Sequence, residues 1–226
     1  MVRLVLFDVD GTLILTGGAG ERAFAKVCET VFGVINGTDR LGFAGRTDTA
    51  IVREFFGNHQ IEPSLANFQM FFDGYVFWLD QILEERPGRV LPGIEQWILD
   101  LKRLSHPPLL GLLTGNTRLG AQIKLTHYRL WDHFQTGAFG DECEDRNELA
   151  ALARRRGRAI LGQPLSGAEI LVVGDTPLDI ACARAIGAKV LAVATGSYSV
   201  PQLEPHHPHW LAANLEQIPV ATVCAQ

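Results

Sequence analysis

The stretch Leu4-Val5-Leu6-Phe7-Asp8-Val9-Asp10-Gly11-Thr12 decides the fold. Residues 4–7 are continuously apolar, too short a run for a helix and without alternation, as expected of a parallel strand buried on both faces. The run ends on two carboxylates. Residues two apart on extended backbone project to the same side, so Asp8 and Asp10 can converge on one point. Gly11 then permits a sharp turn without a Cβ penalty. Adjacent carboxylates repel unless a cation or a proton sits between them.

Working outward, similar apolar runs recur at 109–113, 170–173 and 190–194, with a weaker one at 137–139. Helical periodicity fills the intervals 93–104, 117–130, 147–156 and 178–186. Strands alternating with helices predict an α/β fold: an open, parallel, Rossmann-like sheet in three layers. The interval from Leu15 to Arg89 breaks the rhythm, being too long for one crossover and lacking a convincing strand. Residues 21–32, 47–56 and 64–85 read as helices, the last with Phe68, Phe71, Phe72, Tyr75, Leu79, Ile82 and Leu83 at helical spacing. The reading is an all-helical cap, 16–89, inserted into an α/β core formed by 1–15 and 90–226. Hinges are expected near 15–20 and 86–93, where Gly and Pro cluster.

A second acidic pair follows the run at 170–173, in Gly174-Asp175-Thr176-Pro177-Leu178-Asp179. If the two strands are neighbours, Asp8, Asp10 and Asp175 form an oxygen-rich cluster suited to Mg²⁺, a hard ion that also takes waters and substrate phosphate. The bland alternative makes these acids helix caps, which are common where a strand gives way to a helix. Between the two pairs, Thr114-Gly115-Asn116 ends the strand at 109–113. Thr114 offers a hydroxyl, and free N–H groups at the next helix start favour anions, but the triplet is equally a turn and cap.

The chain has 226 residues, with 20 Lys and Arg against 25 Asp and Glu, a net charge of −5. This length buries a full core without a metal or disulfide staple. An acidic chain is poorly suited to wrapping a phosphate backbone, so nucleic acid is not an expected partner. No apolar run reaches the roughly 18 residues a membrane span needs, so no membrane partner is expected. The apolar N-terminus meets Asp8 too early for a signal peptide. Cys28, Cys143, Cys182 and Cys224 form no CxxC pair and read as reduced thiols of a cytoplasmic protein.

With DVDGT at 8–12, TGN at 114–116 and GDTPLD at 174–179, the chain resembles the haloacid dehalogenase superfamily, specifically its phosphatases with a helical cap after the first motif. The resemblance implies that Asp8 is a nucleophile forming an aspartyl-phosphate and that Asp10 is the general acid and then the base. It implies that Thr114 holds phosphoryl oxygens, with Gly11, Thr12, Gly115 and Asn116 lining the substrate site. Mg²⁺ would be held by Asp8, Asp175 and the backbone carbonyl of Asp10, with Asp179 in support. The implied partner is a small phosphorylated metabolite, phosphoglycolate-like, and the chain would act as a monomer or homodimer. A sugar-phosphate mutase, β-phosphoglucomutase-like, would use the same nucleophile. A non-catalytic binding protein on the same fold is the alternative from another class. A dehalogenase needs neither the Asp10 acid nor Mg²⁺.

One departure from the family concerns its usual lysine, for which no Lys follows 137–139. Lys124 lies about ten residues into the preceding helix, roughly 15 Å from the strand tip at helical rise. The cationic role is therefore assigned to Arg146, which opens the next helix. Arg46, in Gly45-Arg46-Thr47-Asp48, resembles the cap segment facing the non-reacting end of the substrate, where it could pair with a carboxylate or second phosphate. The arginines at 154–158 read as a solvated face. His206, His207 and His209 lie in a proline-punctuated loop and are not expected to bind metal.

Overall fold

A computed structural model describes residues 1–85 and 88–224 of the chain. In chain order the first elements are β1 (Leu4–Phe7), β2 (Ile14–Leu15), α1 (Ala19–Thr30), α2 (Asp48–Asn58), α3 (Leu65–Glu85) and β3 (Arg89–Val90). Then come α4 (Ile94–Arg103), β4 (Leu109–Leu113), α5 (Arg118–His127), β5 (Thr136–Ala138), α6 (Arg146–Leu161) and β6 (Ile170–Gly174). The chain continues through α7 (Pro177–Ala185), β7 (Lys189–Val193), α8 (Val200–Leu203), β8 (Trp210–Ala212) and α9 (Val220–Cys224).

The six longer-range strands form one parallel sheet in the order β5-β4-β1-β6-β7-β8. Strand β1 is central and buried throughout, with Leu4 in register with Leu109 on one side and Ile170 on the other. Val5 and Phe7 enter a core with Trp97, Ile98 and Leu101 of α4, whereas Leu4 and Leu6 enter a second core with Leu149 and Ala153 of α6. Burial on both faces is the reason the strand reads as apolar without alternation. The chain moves outward in one direction through β4 and β5 and in the other through β6, β7 and β8. Strand order therefore reverses at β1, and the crevice at the carboxyl ends of β1, β4 and β6 is where an open α/β sheet binds ligands.

Helices α1, α2 and α3 bury a cluster of their own, built on Phe24, Phe55, Phe56, Phe71 and Tyr75. Phe24 meets Tyr75 edge-on at 4.8 Å between ring centroids. The aromatic spacing read in residues 64–85 is thus an apolar stripe: Phe71, Tyr75, Leu79, Ile82 and Leu83 are buried in α3.

Three details differ from the sequence reading. Strands β2 and β3 flank the helical insertion as an antiparallel two-residue ribbon, Ile14 opposite Val90 and Leu15 opposite Arg89. Pairs this short leave no periodic signal. Strand β8 follows the histidine-rich segment read as loop and pairs with β7 at the sheet edge. Strands β5 and β7 each begin one residue earlier than the apolar runs suggest, at Thr136 and Lys189. Of the expected hinge 86–93, Arg86 and Pro87 lie outside the described residues. No helix among the described residues is long and apolar enough to cross a membrane.

Candidate active site

Strand β1 delivers Asp8 to the crevice, its backbone N–H still bonded to the Val173 carbonyl of β6 at 3.0 Å. Beyond it Gly11 turns the chain with φ of +81°, a left-handed conformation that glycine adopts without a Cβ clash. A Cβ there would lie 2.4 Å from Asp175 Oδ2, so Gly11 also leaves room for the β6 carboxylate. Asp175 Oδ1 accepts a hydrogen bond from Thr12 Oγ1 at 2.9 Å. Strand pairing, register and one glycine thus bring the first and last acidic motifs together.

Asp8, Asp175 and Asp179 each present a carboxylate oxygen within 4.8 Å of the others. Burial pushes the Asp8 carboxyl up to about 6, against the lowering effect of Arg146. Asp175 is raised well above the usual carboxylate range, first by burial and then by the charges of Asp8 and Asp179. This cluster is short of positive charge, and its hard oxygen donors fit a divalent ion such as Mg²⁺. Both Asp179 oxygens are already engaged. Oδ1 pairs with Arg146, and Oδ2 takes the Thr176 N–H at 3.0 Å and Oγ1–H at 2.7 Å in the capping box of α7. Asp8 and Asp175 therefore remain for a cation, with Asp179 holding the frame.

Arg146 opens α6 directly after its N-cap Asp145. It is buried, with Nη2 3.1 Å from Asp8 Oδ1 and paired with Asp179, and Nη1 donates to the Gly45 carbonyl at 3.0 Å. Burial opposes its charge, but the two aspartates more than offset that and raise its pKa well above the ordinary arginine value. The geometry seats the arginine against Asp8, where the sequence reading put a cation.

Lys124 requires a correction. It is the seventh residue of α5, not a remote one, and Nζ lies 2.6 Å from both Asp10 Oδ2 and Asn116 Oδ1. Axial rise alone overstated the distance, because a helical side chain leans toward the N-terminus and the lysine stem adds its own reach. Lys124 is buried, and although desolvation disfavours its charge, Asp10, Tyr75 and Asp48 raise its pKa overall. The signal was present: Lys124 shares the buried face of α5 with Gly120, Ala121 and Leu125, where a lysine without a partner would be costly.

Asn116 completes the set by donating Nδ2 to Asp10 Oδ2 at 2.8 Å and to Thr114 Oγ1 at 2.9 Å. The Thr114 hydroxyl is fully buried at the tip of β4. Gly11 lines the cavity, whereas Thr12 turns its side chain to Asp175. Their N–H groups bond within the turn, to Ile14 O at 2.9 Å and Val9 O at 3.4 Å.

The start of α2 closes over this set. The Asp48 N–H donates to the Gly115 carbonyl at 2.7 Å, and Asp48 Oδ2 accepts the Thr117 N–H at 2.8 Å, capping α5 from the opposite side. Gly115 allows the approach, since a Cβ there would lie 1.9 Å from the Arg46 carbonyl oxygen. Arg46 lines the same cavity as Asp8 and Asp175, with its guanidinium paired to the chain's own acid. Its Nη1 lies 2.5 Å from Glu54 Oε2 of α2 and donates to the Gly42 carbonyl. The histidines at 206–209 do not converge: His209 Nδ1 accepts the Val190 N–H, while the His206 and His207 carbonyls take Arg184. Nor are the arginines of 154–158 all solvated: Arg154 binds the Leu165 carbonyl and Arg156 pairs with Glu142.

Between the helical insertion and the sheet lies a cavity of about 430 Å³, within the range of small-molecule sites. Asp8, Asp10, Thr114, Lys124, Arg146 and Asp175 line its floor.

A model of the haloacid dehalogenase-like hydrolase family matches residues 5–193. The chain is 23% identical to the probable phosphatase IndB of Dickeya dadantii (strain 3937), over 96% of this chain and 92% of that one. Among solved structures, it resembles CbbY from Rhodobacter sphaeroides in complex with phosphate, with a TM-score of 0.76, 17% identity and 99% of each chain covered. It likewise resembles a predicted phosphoglycolate phosphatase from Haemophilus somnus 129pt, with a TM-score of 0.69, 20% identity and 96% of each chain covered. A β-phosphoglucomutase from Clostridium difficile superposes with a TM-score of 0.74 at 16% identity, covering 99% of this chain and 96% of that one.

Proposed function

The chain belongs to the haloacid dehalogenase-like hydrolase family, and on that premise we propose that it is a Mg²⁺-dependent phosphatase of small organic phosphate monoesters. The observation that carries the reading is Asp8 at the tip of β1, paired with Arg146 and set beside Asp175 in the cavity between the helical insertion and the sheet.

In this mechanism an Asp8 carboxylate oxygen attacks phosphorus, and the bond from phosphorus to the ester oxygen breaks as Asp10 protonates the departing alcohol. Asp10, now ionised, takes a proton from water as its oxygen attacks phosphorus, and the Asp8–phosphoryl bond breaks to free inorganic phosphate. A carboxylate nucleophile splits one hard displacement into two easier ones, and a positioned acid/base contributes about 10²–10⁴ in rate. Arg146 orients Asp8, and the Thr114 hydroxyl binds a phosphoryl oxygen. Lys124 and Asn116 fix the Asp10 carboxylate. Asp8, Asp175 and the Asp10 carbonyl would hold Mg²⁺, which when bound neutralises charge on the phosphoryl oxygens. Residues 16–89 act as the cap that admits substrate and shuts out water.

A screen of phosphate metabolites with Mg²⁺, scored by phosphate release, tests the reading. Isomerised sugar phosphate in place of free phosphate would make the chain a mutase. A folded protein inert toward every ester would make it a binding protein.

A further inference from the structure

The floor of the cavity accounts for a phosphoryl group; its walls bear on what that group is attached to. Among the described lining residues the cations are Arg46, Lys124 and Arg146. Each is committed: Lys124 to Asp10 and Asn116, Arg146 to Asp8 and Asp179, Arg46 to Glu54 and the Gly42 carbonyl. The upper wall is apolar, formed by the half-buried Phe43, which packs edge-on at 5.4 Å between centroids on the buried Phe24, with the buried Ile51 among the lining residues. Glu21, in the first turn of α1, lines the same cavity, is exposed, and has no side-chain partner among the described residues.

A second anionic group on the substrate would be desolvated against an aromatic wall, meet an unpaired carboxylate and find no cation free to receive it. Buried charge without a partner is strongly disfavoured, and a like charge rejects the wrong ligand. A flat apolar body would instead exchange water for contact with Phe43, which is backed by the buried Phe24. We infer that this chain selects phosphate monoesters whose alcohol or phenol portion carries no second negative charge, with Phe43 as the contact wall and Glu21 as the residue that excludes anions. The inference rests on the phosphatase reading and narrows it, excluding the carboxylate of a phosphoglycolate-like substrate.

The test compares kcat/KM for an uncharged aryl phosphate and for phosphoglycolate, with Mg²⁺, in the wild type and in Glu21→Lys. Glu21 is exposed, so the variant should fold. The wild type is expected to favour the aryl ester by about tenfold or more, and Glu21→Lys to shift the ratio toward phosphoglycolate by about tenfold, chiefly through KM. A wild-type preference for phosphoglycolate, or a ratio indifferent to Glu21→Lys, overturns this inference and leaves the phosphatase reading standing. Absence of turnover with any ester overturns the phosphatase reading and this inference with it.

Discussion

The ammonium of Lys124 lies 2.6 Å from Asp10 Oδ2, joining the buried face of α5 to the turn after β1. Arg146 is matched in the same way to Asp8, with Nη2 3.1 Å from Oδ1. The two carboxylates of the first motif thus have separate cations. One lysine serving both would tie the orientation of the acid/base to that of the nucleophile, whereas here the two are held from different helices.

Lys124→Met removes the cation beside Asp10, leaving the Asn116 hydrogen bond, without touching Asp8. Its kcat should fall by about 10²-fold, the scale on which a misplaced acid/base loses efficiency, while substrate KM changes less. Steady-state kinetics on one ester checks this, and an unchanged kcat would remove Lys124 from the site.

Arg146→Met leaves Asp8 and Asp179 facing each other with no intervening cation. Breaking a buried pair by deleting one partner costs about 3–5 kcal/mol, so the variant should unfold at clearly lower urea than wild type. Arg146→Lys should recover only part of the loss, because an ammonium cannot reproduce the fork that reaches Asp8, Asp179 and the Gly45 carbonyl together.

Gly115→Ala drives a methyl group into the Arg46 carbonyl, which lies 1.9 Å from the Cβ position. The clash should lift the start of α2 from the sheet and lower kcat/KM by about 10²-fold, the loss expected from a misplacement near 1 Å. Faster proteolysis of the helical insertion than in wild type would report the same displacement.

Burial pushes the Asp48 carboxyl up to about 7 from an ordinary 3.8, with Lys124 and the Thr117 N–H acting in the opposite direction. A carboxyl whose pKa is raised by folding holds its proton more tightly in the folded chain. Its stabilising contribution is complete below about pH 4, declines as pH rises toward 7 and is gone above that. Asp48→Asn lacks this dependence and can still accept the Thr117 N–H. Urea unfolding from pH 5 to pH 8 should therefore show wild type losing stability relative to the variant, by at most about 1.4 kcal/mol per pH unit. A difference that does not vary with pH would contradict the placement of Asp48.

Much of this arrangement was legible in the chain. The apolar runs ending in Asp8, Thr114 and Asp175 marked strand tips, and the register of β4, β1 and β6 brings those tips to one crevice. Arg146 was legible from its place at the head of the next helix. Lys124 was missed despite its place among apolar residues on one face of α5, because distance along a helix axis says nothing about a side chain leaning back across a turn. Asp48 was hidden for another reason. Its role depends on the α2 start meeting the Gly115 carbonyl, a contact between segments 67 residues apart that no local pattern encodes. The pairing of Arg46 with Glu54 joins residues eight apart across the start of α2, which no i,i+3 or i,i+4 rule marks, and the resemblance directed attention to a substrate in place of the chain's own acid.

The central claim is that Asp8 carries the phosphoryl group, and the most direct measurement is phosphate release from a simple aryl ester in the presence of Mg²⁺ by wild type and Asp8→Asn. The account predicts steady release by wild type, its abolition by EDTA, and no release above background by an Asp8→Asn variant that is still folded. Release by Asp8→Asn at a rate near that of wild type would contradict it.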